Sequence, residues 1–311
     1  MLSTPRLDPD AGFALHVTPV ERVLRRSALL GVGEFRCAVD HPQFSGGGPQ
    51  TCPYVVFPRS SVRLIHEHWR PEVSTPNVVS LYNTGDRYER RAVSAQGDHC
   101  DWIALAPELL RDIAAPYVGE HELVADRLFA RPLVPIAPAV YAAQHALFAA
   151  LNEDASLPLL VIESQVVSLV QAVLESARVA NGPAPQRVSP TLARRQIEIV
   201  EQAKAILARR FDAAVSLAEL AREVHCSPGY LCRSFKRLTG TTLHAFQQQL
   251  RLRASLHELA AARGDVAAVA MQFGFATHSH FSDVFRRQFG VTPTQFLRRC
   301  PDRLRAGIGR A

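Results

Sequence analysis

"VAMQFGFATHSHFSDVFRRQFGVTPTQF", residues 269–296, holds two histidines two apart, one acid, a pair of arginines and six phenylalanines. The His-x-His invites a metal, but the apolar spacing has to be read first. Val269, Ala270 and Phe273 recur at one- and three-residue steps, and Phe281, Phe285 and Phe289 at four, so each run is one face of a helix. Thr277 is an N-cap for the second helix and Gly290 a glycine closing it. In a helix His278 and His280 lie about 200° apart around the axis and cannot share one ion.

The same pattern occurs once more upstream. "SLAELAREVHCSPGYLCRSFKRLTGTTLHAF" (216–246) aligns with "DVAAVAMQFGFATHSHFSDVFRRQFGVTPTQF" (265–296). Leu217, Leu220, Ala221 and Val224 match Val266, Val269, Ala270 and Phe273 at an offset of 49 residues. Beyond the turn, Leu231, Phe235, Gly240, Thr242 and Phe246 match Phe281, Phe285, Gly290, Thr292 and Phe296 at an offset of 50, so the second turn carries one extra residue. Ser216 and Asp265 are N-caps of the leading helices. Ser227 with Pro228 is an N-cap followed by a first-turn proline, and Gly240 closes its helix. Small Ala221 and Ala270 sit where two helices cross. Each copy is therefore a helix-turn-helix with a basic second helix. Between the copies, 241–262 reads as a helix of about 20 residues and about 30 Å, which places the two second helices about one DNA turn apart.

In each second helix one stripe packs inward and the opposite stripe is free to read bases. Leu231, Phe235 and Leu238, and Phe281, Phe285 and Phe289, form the inward stripes. The base-facing positions are then Gly229, Cys232 and Arg233 in the first copy, and His278, Ser279, Ser282 and Asp283 in the second. Arg233 is suited to a guanine edge. Lys236, Arg237, Arg286 and Arg287 are assigned to phosphates, where they add affinity and salt dependence rather than sequence choice.

Charge divides the chain in the same place. From Pro190 onward there are 19 Lys+Arg against 9 Asp+Glu; the first 189 residues carry 16 against 20. A basic C-terminal third on a slightly acidic body is the footprint of a polyanion-binding domain. A chain of 311 residues has room for two domains, each with its own core. No run of about 18 apolar residues stands out, and the N-terminus lacks a signal-peptide pattern, so no membrane partner is expected and the compartment reads as cytoplasmic. Six cysteines without a CxxC pair read as reduced thiols.

Upstream, residues 1–135 have the texture of a compact β domain: short apolar runs such as "YVVFPRSSVRLIHE" and "NVVSLYNTG" bounded by Pro, Gly and Asn. Residues 136–182 switch to helical spacing in two segments, with Pro158 in the first turn of the second. A linker is expected at 183–190, around "NGPAPQ", followed by a long helix with Leu192, Ile199, Ala203, Ile206 and Phe211 on one face. A basic tail is expected at 301–311. The fold class is α+β: an N-terminal β domain and helices, then an all-α domain with two helix-turn-helix units.

Residues 191–300 resemble the DNA-binding domain of the AraC/XylS family of bacterial transcription regulators. "VAMQFGFATHSHFSDVFRRQFGVTPTQFLR" is similar to that family's signature nearly residue for residue, and "LAELAREVHCSPGYLCRSFKRLTG" is the more variable first unit. The resemblance implies that Cys232, Arg233, Ser279, Ser282 and Asp283 stand at base-reading positions, and that an acid at 283 replaces the arginine many relatives carry. Asp283 would accept from a cytosine amino group or pair with Arg286 or Arg287. The first 135 residues resemble the cupin-like sensor or arm domain of some members, and 136–182 their dimerisation helices. The partners implied are promoter DNA, RNA polymerase, a small-molecule effector and a second copy of the chain, and members are usually activators.

Other chemistries fit less well. His66, His68 and Glu72 spell the HxHxxxE of a cupin metal site, and in a strand residues 66 and 68 share a face. The flanking glycines and later Pro-Gly-His element of that motif are missing, so no metal and no cofactor is assigned. The alternative reading is a cupin-type metal-binding protein or metalloenzyme with a DNA-binding tail; a non-specific nucleic-acid binder is a third. Cys37, His41, Cys52, His99 and Cys100 have no local spacing that joins them. Gly46-Gly47-Gly48 lacks a following lysine and reads as a loop. With no GxSxG, HExxH or acidic metal cluster, no catalytic residue and no enzyme is expected.

Overall fold

The computed structural model describes residue 15 and residues 18–119, 127–153, 157–180, 190–261 and 265–299. Residues 181–189 of the expected linker region, Cys300 and the expected basic tail at 301–311 lie outside them.

Among the described residues ten strands form the N-terminal domain: β1 (Glu21–Arg26), β2 (Leu30–Cys37), β3 (Gly46–Gly47), β4 (Tyr54–Pro58), β5 (Val62–His66), β6 (Glu72–Ser74), β7 (Val78–Tyr82), β8 (Tyr88–Ala92), β9 (Asp98–Leu105) and β10 (Leu133–Pro135). They make two antiparallel sheets, ordered β1-β2-β9-β4-β7-β10 and β3-β8-β5-β6. This is the expected N-terminal β domain, with one difference at the glycines: Gly46 and Gly47 pair with Glu89 and Tyr88 of β8 as a two-residue strand instead of a loop.

Strand β9 shows how the sheets divide the core. Its side chains alternate between faces. Cys100, Trp102 and Ala104 enter the core between the sheets, whereas Ile103 and Leu105 join the core under the helices. Both faces are covered, so the strand reads as a nearly continuous apolar run. Trp102 lies opposite Gly33 of β2. A Cβ on Gly33 would stand 2.4 Å from the indole Cζ2, so only glycine lets that ring lie flat on the neighbouring strand.

One helix in the β domain is not expected from the sequence: α1 (Pro107–Ala114), which starts on a proline and buries Leu110, Ile113 and Ala114. The two helices that follow are α2 (Pro138–Glu153) and α3 (Leu159–Ala180), with Pro158 just ahead of the latter. Contrary to the expectation from composition, Leu159–Arg178 is apolar and long enough to cross a membrane. Its Ile162, Val166, Val170 and Val173 instead pack into the protein core.

The C-terminal part is α4 (Pro190–Arg209), α5 (Leu217–Glu223), α6 (Pro228–Thr239), α7 (Leu243–Ala261), α8 (Val266–Gln272), α9 (His278–Phe289) and α10 (Pro293–Arg299). Here the cores do not follow the sequence. The first helix-turn-helix unit and α4 share a core of their own, centred on Ile199, Ala203, Leu220, Leu231 and Phe235. The second unit has no such independence. Phe281, Phe285, Phe289 and Phe296 belong to a core that continues through Leu147, Phe148 and Leu151 of α2 to the β domain.

Polar ties reinforce this joint. Arg253 of α7 is buried; its Nη1 donates to Pro76 O and its Nη2 to Ile136 O (3.0 Å), and its guanidinium lies 5.1 Å from the Tyr141 ring. Burial without a carboxylate partner pushes its pKa down to about 10. Asn77 Nδ2 donates to Phe246 O at 3.1 Å, and Glu201 accepts from the backbone N–H of Val73. Beside these ties a cavity of about 640 Å³ opens between the β domain, α2 and α7, lined by Arg59, His99, Tyr141, His145, Arg253 and His257 among others.

Candidate nucleic-acid interface

Both units start from the same local chemistry. The leading helices are capped by Ser216, which accepts from Glu219 N at 3.1 Å, and by Asp265, which accepts from Ala268 N at 2.9 Å. They end in the same left-handed turn. His225 (φ 53°) and Gly274 (φ 74°) are equivalent at the 49-residue offset. In the first turn His225 N donates to Arg222 O and Cys226 N to Ala221 O; in the second Gly274 N donates to Met271 O and Phe275 N to Ala270 O. This is a Schellman motif twice over. The extra residue of the second copy is Ala276, inserted between this motif and the next cap.

The second helices are capped by Ser227, accepting from Tyr230 N, and by Thr277, accepting from His280 N. They close on left-handed Gly240 and Gly290. Leu231, Ser234 and Phe235 face inward in α6, as do Phe281, Val284, Phe285 and Phe289 in α9. Leu238 does not belong to the inward stripe: it is 37 % exposed. At the 50-residue offset its counterpart is Gln288, and the place of Phe289 is taken by half-buried Thr239, which donates to Phe235 O.

Every base-reading candidate lies on the outward faces of these helices. Gly229, Cys232, Arg233, His278, Ser279 and Asp283 are exposed, and Ser282 is half-buried with its Oγ 3.5 Å from His278 Nε2. The phosphate candidates Lys236, Arg237, Arg286 and Arg287 are exposed one turn farther along. A Cβ on Gly229 would lie 3.4 Å from Arg233 Nη1, so the guanidinium is folded back over the first turn of α6, in space that the missing side chain leaves open. Asp283 forms no ion pair with Arg286 or Arg287 among the described residues, so the pairing considered from sequence is not made. Among the described residues the two arginines and the carboxylate have no ion-pair partner on the outward face.

The metal candidates come apart. Strand β5 ends at His66, which is buried beside the Tyr82 and Tyr88 rings (5.5 and 5.9 Å). The chain then turns, so His68 is exposed and no longer shares a strand face with His66. Glu72 accepts from Trp69 Nε1 and Arg70 Nε. Among the described residues no group of three His, Cys, Asp or Glu side chains is placed to hold an ion. Cys37, Cys52 and Cys100 are buried thiols whose pKa values burial pushes up, that of Cys52 to about 11. The Arg253, Asn77 and Glu201 ties went unread in the sequence. The only signal for them was a charge at 253 between buried Leu252 and Leu256.

Comparisons with known proteins agree with this geometry. Residues 220–299 match a family described as "Helix-turn-helix domain". The chain is 30 % identical over 102 residues to "Regulatory protein SoxS" of Escherichia coli strain K12, covering 33 % of this chain and 95 % of SoxS. It is 36 % identical over 85 residues to "HTH-type transcriptional activator RhaS" of Escherichia fergusonii, covering 27 % of this chain and 31 % of RhaS. Among solved structures, ToxT of Vibrio cholerae O395 overlaps 88 % of this chain and 98 % of its own at 14 % identity, with a TM-score of 0.33, too loose to carry an argument. The doubled helix-turn-helix and the near full-length coverage of SoxS place this chain in the AraC family of DNA-binding transcription regulators.

Proposed function

We propose that the two outward faces described above read a bipartite promoter site through successive major grooves, with Gly229, Cys232, Arg233, His278, Ser279, Ser282 and Asp283 at base edges and Lys236, Arg237, Arg286 and Arg287 on phosphates. The observation that carries this reading is the repeated capped unit, whose outward residues on α6 and α9 sit opposite buried stripes, Leu231, Ser234 and Phe235 in the first and Phe281, Val284, Phe285 and Phe289 in the second. Asp283, unpaired, is an acceptor for a cytosine amino group. The chain activates transcription, as the name of RhaS states for that relative, by bringing RNA polymerase to the promoter from the cytoplasm. Residues 1–135 are a sensor, 136–182 a dimerisation segment and 191–300 the DNA-binding domain, and the chain acts without catalysis of its own. A cavity of about 610 Å³ inside the β domain, walled by Phe35, Tyr54, Tyr82, Tyr88 and Trp102, is of the size that holds a small-molecule effector.

Two substitutions separate the roles. Arg233→Ala should cost about 1–3 kcal/mol on the selected site and relax base choice at one position. Lys236→Ala should weaken selected and scrambled DNA alike and lower the salt slope by about one. Binding titrations at several salt concentrations check both. A shift of base preference in Lys236→Ala, or wild-type binding to scrambled DNA as tight as to the selected site, would count against the assignments.

A further inference from the structure

Helix α7 joins the two units, and two of its side chains bond to the chain on either side of it. Gln247 and Arg251, one turn apart on α7, turn their donors toward the segment that leads into the first unit. Gln247 Nε2 donates to Ala213 O at 3.0 Å and lies 3.3–3.4 Å from the carbonyls of Phe211 and Arg210. Arg251 donates from Nε to Phe211 O (2.6 Å) and from Nη2 to Ala213 O (2.9 Å). Its third contact belongs to the other unit: Nη1 donates to Gly274 O at 2.8 Å, in the turn between α8 and α9.

Around this guanidinium the two units touch directly. The Phe211 and Phe273 rings stack at 6.1 Å, and a Cβ on Gly274 would meet Asp212 O at 2.5 Å. A planar fork with donors on three sides suits a task that a lysine's point charge does not. The first unit carries His225 in the same left-handed conformation at the position equivalent to Gly274, so it is the contact with Asp212 O, and not the turn alone, that demands glycine in the second.

We propose that Arg251 is a positioning residue that sets the spacing specificity of DNA recognition without touching DNA. By bonding carbonyls of the segment that leads into the first unit and of the second unit's turn it closes a bracket across α7 and holds α6 and α9 at one separation and one rotation. This role rests on the two-groove reading above. One inserted base pair shifts the second half-site by about 3.4 Å and about 35°, which a rigid bracket does not follow.

Two measurements on the full chain test the role, with selected DNA and its one-base-pair insertions and deletions between half-sites as probes. The wild type should lose about tenfold in affinity on either spacing change, since the second unit then binds without the first's effective concentration. Arg251→Ala should bind the original spacing about tenfold more weakly and discriminate spacings by no more than about threefold. Independently of DNA, spin labels on Cys232 and at Ser279→Cys, with Cys226 and Cys300 changed to serine, report the separation of the two helices. That distance distribution should be narrow in the wild type and at least about twice as wide in Arg251→Ala. Arg251→Lys keeps the charge and should move both readouts in the same direction by less, which also covers the case that the alanine variant does not fold. An unchanged label distribution, or an unchanged spacing penalty, in the folded variants overturns the role of Arg251. A wild type indifferent to spacing, with a narrow label distribution, would instead fail the two-groove reading and the spacing role with it, leaving the rigid bracket standing.

Discussion

Phe285→Ala should destabilise the protein by about 3–5 kcal/mol and should loosen the β domain along with the DNA-binding domain. Phe285 is fully buried, with the rings of Phe281, Phe289 and Phe296 at 5.6, 4.6 and 5.8 Å. The cavity left by its ring is not at a free surface, because α2 packs against α9 and continues the same core. Phe235 is its counterpart at the 50-residue offset and is equally buried, with Phe246 packed edge-on at 5.3 Å. Its core, however, is shared with α4 and not with α2. Phe235→Ala should therefore cost a similar amount while leaving protection of the β strands intact. Native-state hydrogen exchange compares the two variants: faster exchange in β7 and β9 is expected for Phe285→Ala alone. Equal effects on the strands from both substitutions would show that the cores are not divided as described.

The second large effect is acid destabilisation that begins well above the carboxylate range. His99 lies in the cavity between the domains, where burial, then Arg36 and Arg59, push its pKa down to about 4. His145 of α2 is held well below the usual imidazole range by burial, and by Arg59 and His257 nearby. His66 is lowered too, mainly by burial. An unfolded histidine takes up its proton near pH 6.5, whereas these folded ones do not. Between pH 6.5 and about 4 the unfolded chain thus binds more protons, and stability falls as pH falls. His99 alone accounts for about 2 kcal/mol by pH 5, or roughly 3 °C in melting temperature for a chain of 311 residues. The Glu34 carboxyl, whose pKa is lowered, adds a loss in the same direction at more acid pH; that of Asp98, raised by burial, works against it. Thermal melts at pH 7, 6 and 5 should show the decline, and His99→Asn should flatten part of it. A wild type equally stable at all three values would mean that these rings are protonated in the folded chain.

What the sequence makes legible follows from how local each signal is. The doubled unit is written in caps, glycines and a four-residue aromatic rhythm, all of which act within one or two turns. Its outward faces follow by subtraction from the buried stripe. The misassigned Leu238 shows the limit of subtraction within one copy: extending the stripe from Phe235 by three residues picks an exposed position, while the offset to the second copy points to Thr239. Helix α1 hides because its eight residues follow directly on a strand and carry few turns of periodicity. The joints are invisible for a different reason. Arg253, Asn77, Gln247 and Arg251 all bond to backbone carbonyls, and a carbonyl belongs to every residue alike. Such a contact leaves no complementary charge or apolar mate elsewhere in the chain by which to predict it.

The division of the cores bears on how this architecture is able to change over generations. A recombination point near residue 185 separates two sequences, yet the buried surface of α9 and α10 is completed by α2 on the other side of that point. Whatever sensor is grafted ahead of this DNA-binding domain has to bring its own substitute for Phe148 and Leu151, or leave an aromatic face open to water. The first unit draws less on its neighbour: its aromatic core is closed by α4, and it meets the β domain through Val93 and the hydrogen bonds of Asn77 and Glu201. The second unit and the domain ahead of it are thus constrained to change as a matched pair, while the core of the first unit is closed by α4.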